Sequence, residues 1–323
     1  MTKIQRTILS YSPIQFLLNK SKRWHWPGFQ GLPVYNVLQF FRKQIKQQGL
    51  AERASAIAYN FIMALPPSLL FLFTLIPNLP FLSKKSIKYQ LHSLILDIIP
   101  SKVYNKQVIA FADTFIDGNK LGLLSFGLLL TLFFSSNGMM GIMRSFNKNY
   151  EGFAKRKGLQ KRGIALRLTI VIFGLLFGYF ILLIMQGALL KLVVQSDTLR
   201  TIITYSRWIL IIMLVYLTIG FIFRYAPAVE KRWKFSSAGT LLATSLSLIA
   251  TLAFSLFVTN FAKYNALYGS IGTIMMLMAL IYLNSLALLI GFELNVSIHT
   301  LKAREEIVKK KVENITPQIS SSK

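Results

Sequence analysis

Long apolar segments alternating with basic gaps constrain the fold of this chain more than any other feature. A bilayer core is crossed by about 20 predominantly apolar helical residues. Six such segments occur, near Ser55 to Leu82, Leu121 to Met143, Ile164 to Val194, Tyr205 to Phe223, Gly239 to Phe261 and Ser270 to Val296. Of the 37 Lys and Arg residues, with Arg167, Lys191 and Arg207 at segment ends counted with the gaps beside them, 27 fall in the N-terminal arm, the second and fourth gaps and the C-terminal tail, against ten in the other gaps. The bias of basic residues toward cytoplasmic loops then directs both termini to the cytoplasm. The expected fold class is all-α: a polytopic bundle of six transmembrane helices with added interfacial amphipathic helices. It divides into a cytoplasmic arm (1–53), a membrane domain (54–298) and a charged tail (299–323), in the plasma (inner) membrane.

In a soluble protein a formal charge of +26 points to a nucleic-acid partner. Topology accounts for most of it here, because runs such as Lys155-Arg156-Lys157 and Lys309-Lys310-Lys311 flank apolar segments and are drawn to anionic head groups. Membrane lipid, not nucleic acid, is the expected partner. Cysteine is absent, which removes disulfides and thiolate metal sites. No cleavable signal peptide is evident, so the first span is expected to serve as an uncleaved anchor.

Outside the spans, Val34, Val37, Leu38, Phe41 and Ile45 recur at helical spacing within 32–49, which predicts an interfacial helix. Lys20, Lys22, Arg23, Trp24 and Trp26 before it mix basic and indole groups, as head-group-level segments do. In the first long gap, two amphipathic helices are expected over 87–98 and 104–115, either side of Pro100. The tail after His299 reads as a charged helix that frays at Pro317.

Polar groups inside the spans carry the functional information, because charge at the bilayer centre is costly. Glu293 is the single acidic residue within an apolar segment. Tyr282 shares its helix face, whereas Asn284, Ala287, Gly291 and Asn295 share the nearly opposite one. A helix polar on two sides belongs at the centre of a bundle. The first span holds Tyr59 and Asn60 ahead of Pro66-Pro67, which predicts a kink or break, and the second holds Ser135, Ser136, Asn137, Gly138 and Gly141. Broken helices with polar groups at mid-depth build many transport sites, so Tyr59, Asn60, Ser136, Asn137, Tyr282, Asn284, Glu293 and Asn295 form a candidate polar path. The alternative for Glu293 is a structural ion pair, with Arg224 as partner. Small residues at Gly174 and Gly178, and at Ala243 and Ser247, read as packing contacts, and the GxxxG serves a homo-oligomer or an intrachain contact equally well.

The stretch Arg224-Tyr-Ala-Pro227, the turn Lys231-Arg-Trp-Lys234, Gly239, the external turn from Tyr264 through Asn265, Tyr268 and Gly269 to Gly272, and Gly291-Phe-Glu-Leu-Asn295 resemble the YihY/BrkB family of bacterial inner-membrane proteins. Ala54-Ser-Ala-Ile-Ala-Tyr59 and Ser145-Phe-Asn147 are similar to further elements of that family. The likeness spans nearly all of 36–300, and departs at Asn60-Phe-Ile-Met63 and in a longer arm. It implies a six-helix inner-membrane protein whose relatives are linked to serum resistance and to envelope or lipid phenotypes, in a family that once carried a ribonuclease label.

Three functions compete. A ribonuclease needs clustered carboxylates or histidines, yet His25, His92 and His299 are far apart, and no Walker loop, GxSxG elbow or dinucleotide turn occurs. No enzyme and no cofactor are therefore expected. Translocation of a lipid or envelope-related amphiphile suits the polar path, and a non-transporting accessory or scaffold role needs no cavity.

Overall fold

The computed structural model describes residues 24–75, 121–193, 197–260 and 265–320, apart from 148–149, 151–152, 155 and 230–231, together with positions 20, 22, 85, 88–89, 92, 106, 109–110 and 113. Among the described residues seven helices of at least 14 residues run in order: α1 Val34–Gln47, α2 Leu50–Leu75, α3 Leu121–Phe146, α4 Gly158–Val193, α5 Asp197–Tyr225, α6 Ala238–Asn260 and α7 Asn265–Ser320. No strand is assigned among the described residues, only isolated bridges His25 to Pro33 and Phe153 to Val229.

Five segments within these helices are long and apolar enough to cross a membrane: Phe126–Phe146, Gly158–Tyr179, Trp208–Tyr225, Ala238–Val258 and Ile274–Lys309. Their outward faces carry large apolar side chains such as Leu129, Ile209, Ile249 and Leu256, as lipid contact requires. The first expected span coincides with α2, which is not among the five. Its first turn carries Glu52 and Arg53, and an uncharged, mostly apolar run follows from Phe61 to Leu75. The expected break at the two prolines is absent: α2 runs continuously through both. Nearby hydroxyls engage the backbone there, with Thr131 Oγ1 donating to the Pro67 carbonyl at 2.5 Å and Ser68 Oγ to that of Ala64 at 2.7 Å.

The arm differs from a helix lying in lipid. Val34 and Val37 of α1 are buried against Leu294 and Ile298 of α7, whereas Leu38 stays exposed. A one-sided apolar stripe is satisfied by a protein groove as well as by a lipid surface, so periodicity alone does not separate the two. Gly49 ends the α1–α2 turn at φ +56°, a left-handed conformation that glycine adopts without penalty, and so aims the start of α2.

The two helices expected in the first gap lie largely outside the described residues. The described positions there are helical, and His92 and Lys88 both face Asp113, at 3.0 and 3.7 Å. The stretch expected to be an external turn is helical from Asn265 onward, and α7 continues past Pro317 to Ser320, where fraying was expected.

α6 and α7 meet most closely at Gly239 and Gly291: a Cβ at Gly291 would lie 2.5 Å from the Ala243 Cβ and the Gly239 carbonyl oxygen. The Ala243 and Ser247 spacing is thus a real packing seam, both residues being buried against α7. Gly174 and Gly178 are the opposite case, since a Cβ on either meets nothing within 4 Å among the described residues. Of the two readings of that GxxxG, an intrachain contact is not formed there among the described residues.

Gly291→Val is expected to cost about 1–3 kcal/mol through overpacking. Gly174→Ala should leave stability unchanged or slightly raised. Melting temperatures of the two variants in one detergent check the contrast.

Candidate functional site: a buried ion cluster at one end of the bundle

Arg53 lies in the first turn of α2, on the face that continues through Ile57 and Ala64 into the core. Its Nη1 donates to Glu293 Oε1 at 2.6 Å and its Nη2 to the Ser145 carbonyl, also at 2.6 Å. The Tyr150 hydroxyl donates to the same Glu293 oxygen at 2.6 Å. The two charged side chains are 4 % and 0 % exposed, so this is an ion pair withdrawn from solvent. It joins the start of α2, the end of α3 and the following loop to the middle of α7.

Satisfaction is incomplete. Glu293 Oε2 and Arg53 Nε are buried without a hydrogen-bond partner among the described residues. A buried pair regains its desolvation cost only when its remaining donors and acceptors are also met. Burial, and then the negative charge of Glu293, hold the Tyr150 phenol above its ordinary pKa, so it remains a proton donor to the carboxylate. Around the cluster, Phe292 stacks on Phe146 with centroids 3.9 Å apart, and Trp233, Phe153 and Phe223 close the wall. That aromatic casing lowers the local dielectric and strengthens the pair.

The expectation that Arg224 partners Glu293 is corrected: the partner is Arg53. Arg224 lies instead at the end of α5, its guanidinium 5.8 Å from the Tyr225 ring and its Nε buried without a partner. Arg53 escaped the sequence reading because the domain boundary was drawn just after it. The helix begins at Leu50, and the spacing of Arg53, Ile57 and Ala64 was the signal that placed it on the inner face.

The other path residues do not converge, and no two of the eight hydrogen-bond each other. Tyr59 is 62 % exposed, and Asn60 Nδ2 donates to its own helix at Ala56 O while facing Gly141. Ser136 is buried and donates to Phe133 O; Asn137 accepts from Arg162. Tyr282 packs against the main core. Asn284 bonds Ser247 and, at 3.3 Å, Thr251 of α6. Asn295 Oδ1 accepts from the Gly239 amide at 2.9 Å and its Nδ2 donates to Ser237 Oγ, which fastens the first turn of α6 to α7. Tyr264 lies outside the described residues; Asn265, Tyr268 and Gly269 are in the first turns of α7.

Two cavities open near this end. One of about 130 Å³ is lined by Gln30, Trp233, Asn295 and His299 among others. The other, of about 310 Å³, lies between α4, α5 and the loop after α5. Neither is bordered by Glu293, Tyr59 or Asn60. Among the described residues no three His, Cys, Asp or Glu side chains gather as a metal site.

Comparison with known proteins gives one family. The model described as Virulence factor BrkB matches residues 41–315. A ribonuclease-like protein, YfkH, of Bacillus subtilis is 28% identical over 82% of this chain and 95% of its own length. UPF0761 membrane proteins of Tolumonas auensis (22%, over 88% of this chain and 92% of the relative) and Coxiella burnetii (24%, over 79% and 90%) match as well. No solved structure matches.

Removing one member of the pair is expected to cost about 3–5 kcal/mol, because the other charge is left buried and alone. Glu293→Leu and Arg53→Leu should each lower the melting temperature strongly, and the double variant should cost clearly less than the two singles added. A double-mutant cycle on thermal unfolding in detergent reads the coupling.

Proposed function

The chain belongs to the Virulence factor BrkB family, and from that premise we propose that it is a six-span inner-membrane protein that moves a lipid or envelope-related amphiphile across the bilayer. The observation that carries the reading is the Arg53–Glu293–Tyr150 cluster. A fully buried ion pair whose Glu293 Oε2 and Arg53 Nε have no partner among the described residues keeps a desolvation cost that its hydrogen bonds do not fully regain. It suits an element with a second arrangement, in which α2 shifts against α7 and the pair is rehydrated. α2 supplies the first of the six spans in this reading, beside the five apolar segments of α3 to α7, and the excess of Lys and Arg in alternate gaps supports cytoplasmic termini. The expected partners are anionic lipids, and a second copy of the chain has an open face at Gly174 and Gly178.

Catalysis has little to support it. The name of the Bacillus subtilis relative points to a ribonuclease, but hydrolysis of a phosphodiester with metal help needs grouped ligands, and none group among the described residues. The accessory or scaffold role is favoured by one specific observation: the path residues are spent on separate interhelical and intrahelical bonds.

Protein reconstituted into phosphatidylethanolamine–phosphatidylglycerol vesicles with a fluorescent phospholipid decides between these. Faster bleaching of inner-leaflet label than in protein-free vesicles is the expected result, and no acceleration leaves the accessory role. Because the chain has no cysteine, Thr2→Cys and Ser322→Cys test topology directly. Both should react with an impermeant thiol reagent only after the inner membrane is opened.

A further inference from the structure

The 310 Å³ cavity is lined by four arginines, Arg156, Arg167, Arg224 and Arg232. No carboxylate among the described residues forms an ion pair with any of them. Four like charges around one space repel unless something is gained from holding them there.

The structure holds three of them in place. Arg156 is half-buried and forked onto two backbone carbonyls, Nη1 to Ala226 at 2.9 Å and Nη2 to Pro227 at 2.7 Å. Arg224 and Arg232 flank a single ring, with guanidinium carbons 5.8 and 5.1 Å from the Tyr225 centroid. The loop bearing Arg156 is pinned in turn, since Ala154 N–H donates to Ala228 O at 2.7 Å and Ala228 N–H to Asn147 Oδ1 at 2.9 Å. A donor remains to be used: Arg224 Nε is buried with no partner among the described residues. Burial, and then the neighbouring charge of Arg232, pull the Arg156 pKa downward.

The rest of the lining is apolar. Ile164, Leu168 and Val171 of α4 face Phe221 of α5, leading from the arginines into the stretch where both helices are long and apolar enough to span a membrane. Guanidinium forks match phosphate oxygens in bidentate geometry, and a wall of aliphatic side chains suits the first methylenes beyond a head group.

We propose that this cavity is a binding site for a phosphate ester, held by Arg167, Arg224 and Arg232 against the fixed Arg156. The phosphate of an anionic phospholipid and free phosphate share this chemistry. The site stands whether or not anything crosses the bilayer.

The test uses the full chain in detergent, with equimolar phosphatidylglycerol and phosphatidylcholine added, read by native mass spectrometry. Inorganic phosphate is titrated in parallel by thermal shift. The variant Arg167→Gln/Arg224→Gln/Arg232→Gln leaves the brace at Arg156 intact, and Arg144→Gln removes an exposed charge outside the cavity. Preference for phosphatidylglycerol should fall by about tenfold or more in the triple variant and stay unchanged in Arg144→Gln. If inorganic phosphate stabilises the wild type, displaces the lipid and has no effect on the triple variant, the same site takes free phosphate. Retention of both ligands by the triple variant overturns the proposal, as does an equal loss in Arg144→Gln, which would mean diffuse surface attraction. Should the triple variant melt early, Arg167→Gln/Arg232→Gln, at two exposed side chains, gives the same reading at smaller amplitude.

Discussion

The pair between Arg53 and Glu293 is the constraint on which the described bundle depends. Two opposite charges 240 residues apart in sequence are taken out of water together, which forces the first turn of α2 against the middle of α7. Neither charge tolerates isolation there, so the surrounding elements must close around both. Ser145 at the end of α3 turns its carbonyl to the guanidinium, and Tyr150 turns its hydroxyl to the carboxylate. Phe146, placed between those two residues, stacks on Phe292 beside Glu293. The loop after α3 is thereby set by the same chemistry, and with it the Asn147 contact that fixes the loop after α5.

α7 distributes these demands around its circumference. Residues 291–298 are buried on every side. Gly291 and Asn295 take α6, Phe292 takes the aromatic wall, Glu293 takes α2, and Leu294 and Ile298 take α1. A helix surrounded this way cannot vary one face independently, because each turn contributes to several interfaces. That explains why small, aromatic, acidic and amide side chains crowd into five consecutive positions.

Much of this was legible in the sequence. Segment length and hydropathy located the apolar cores of α3 to α7, and angular projection set Asn284, Gly291 and Asn295 on one face, which is the face that meets α6. The central position of the last span followed from its two polar sides. Pairing was not legible, because it depends on contacts between distant segments. Arg53 looked like one more basic residue of the arm, and Arg224, which the charge pattern also puts at a cytoplasmic helix end, looked like the partner of Glu293. Tyr150 had no periodic pattern to mark it, being in a loop. The concentration of four arginines in one cavity was likewise hidden, since Arg156, Arg167, Arg224 and Arg232 come from different helices and loops and, read linearly, merge into the general excess of basic residues.

The energies of the seams and of the cluster differ enough to order the motions the bundle can make. Interhelical bonds such as Ser68 to Ser135 between α2 and α3, or Asn284 to Thr251 between α6 and α7, are worth about 0.6 kcal/mol each in membrane proteins. Uncoupling a buried ion pair costs about 3–5 kcal/mol. Helices joined by several weak bonds along their length and one strong cluster at an end separate first at the weak part. The basic end, with the cluster, the pinned loops and the forked Arg156, is therefore the last part of the described bundle to open. Tyr59 and Asn60 sit about two turns along α2 from Arg53, where Asn60 packs against Gly141 of α3 and its amide is spent on the Ala56 carbonyl of its own helix, so the polarity of that turn is met locally and needs no shared cavity.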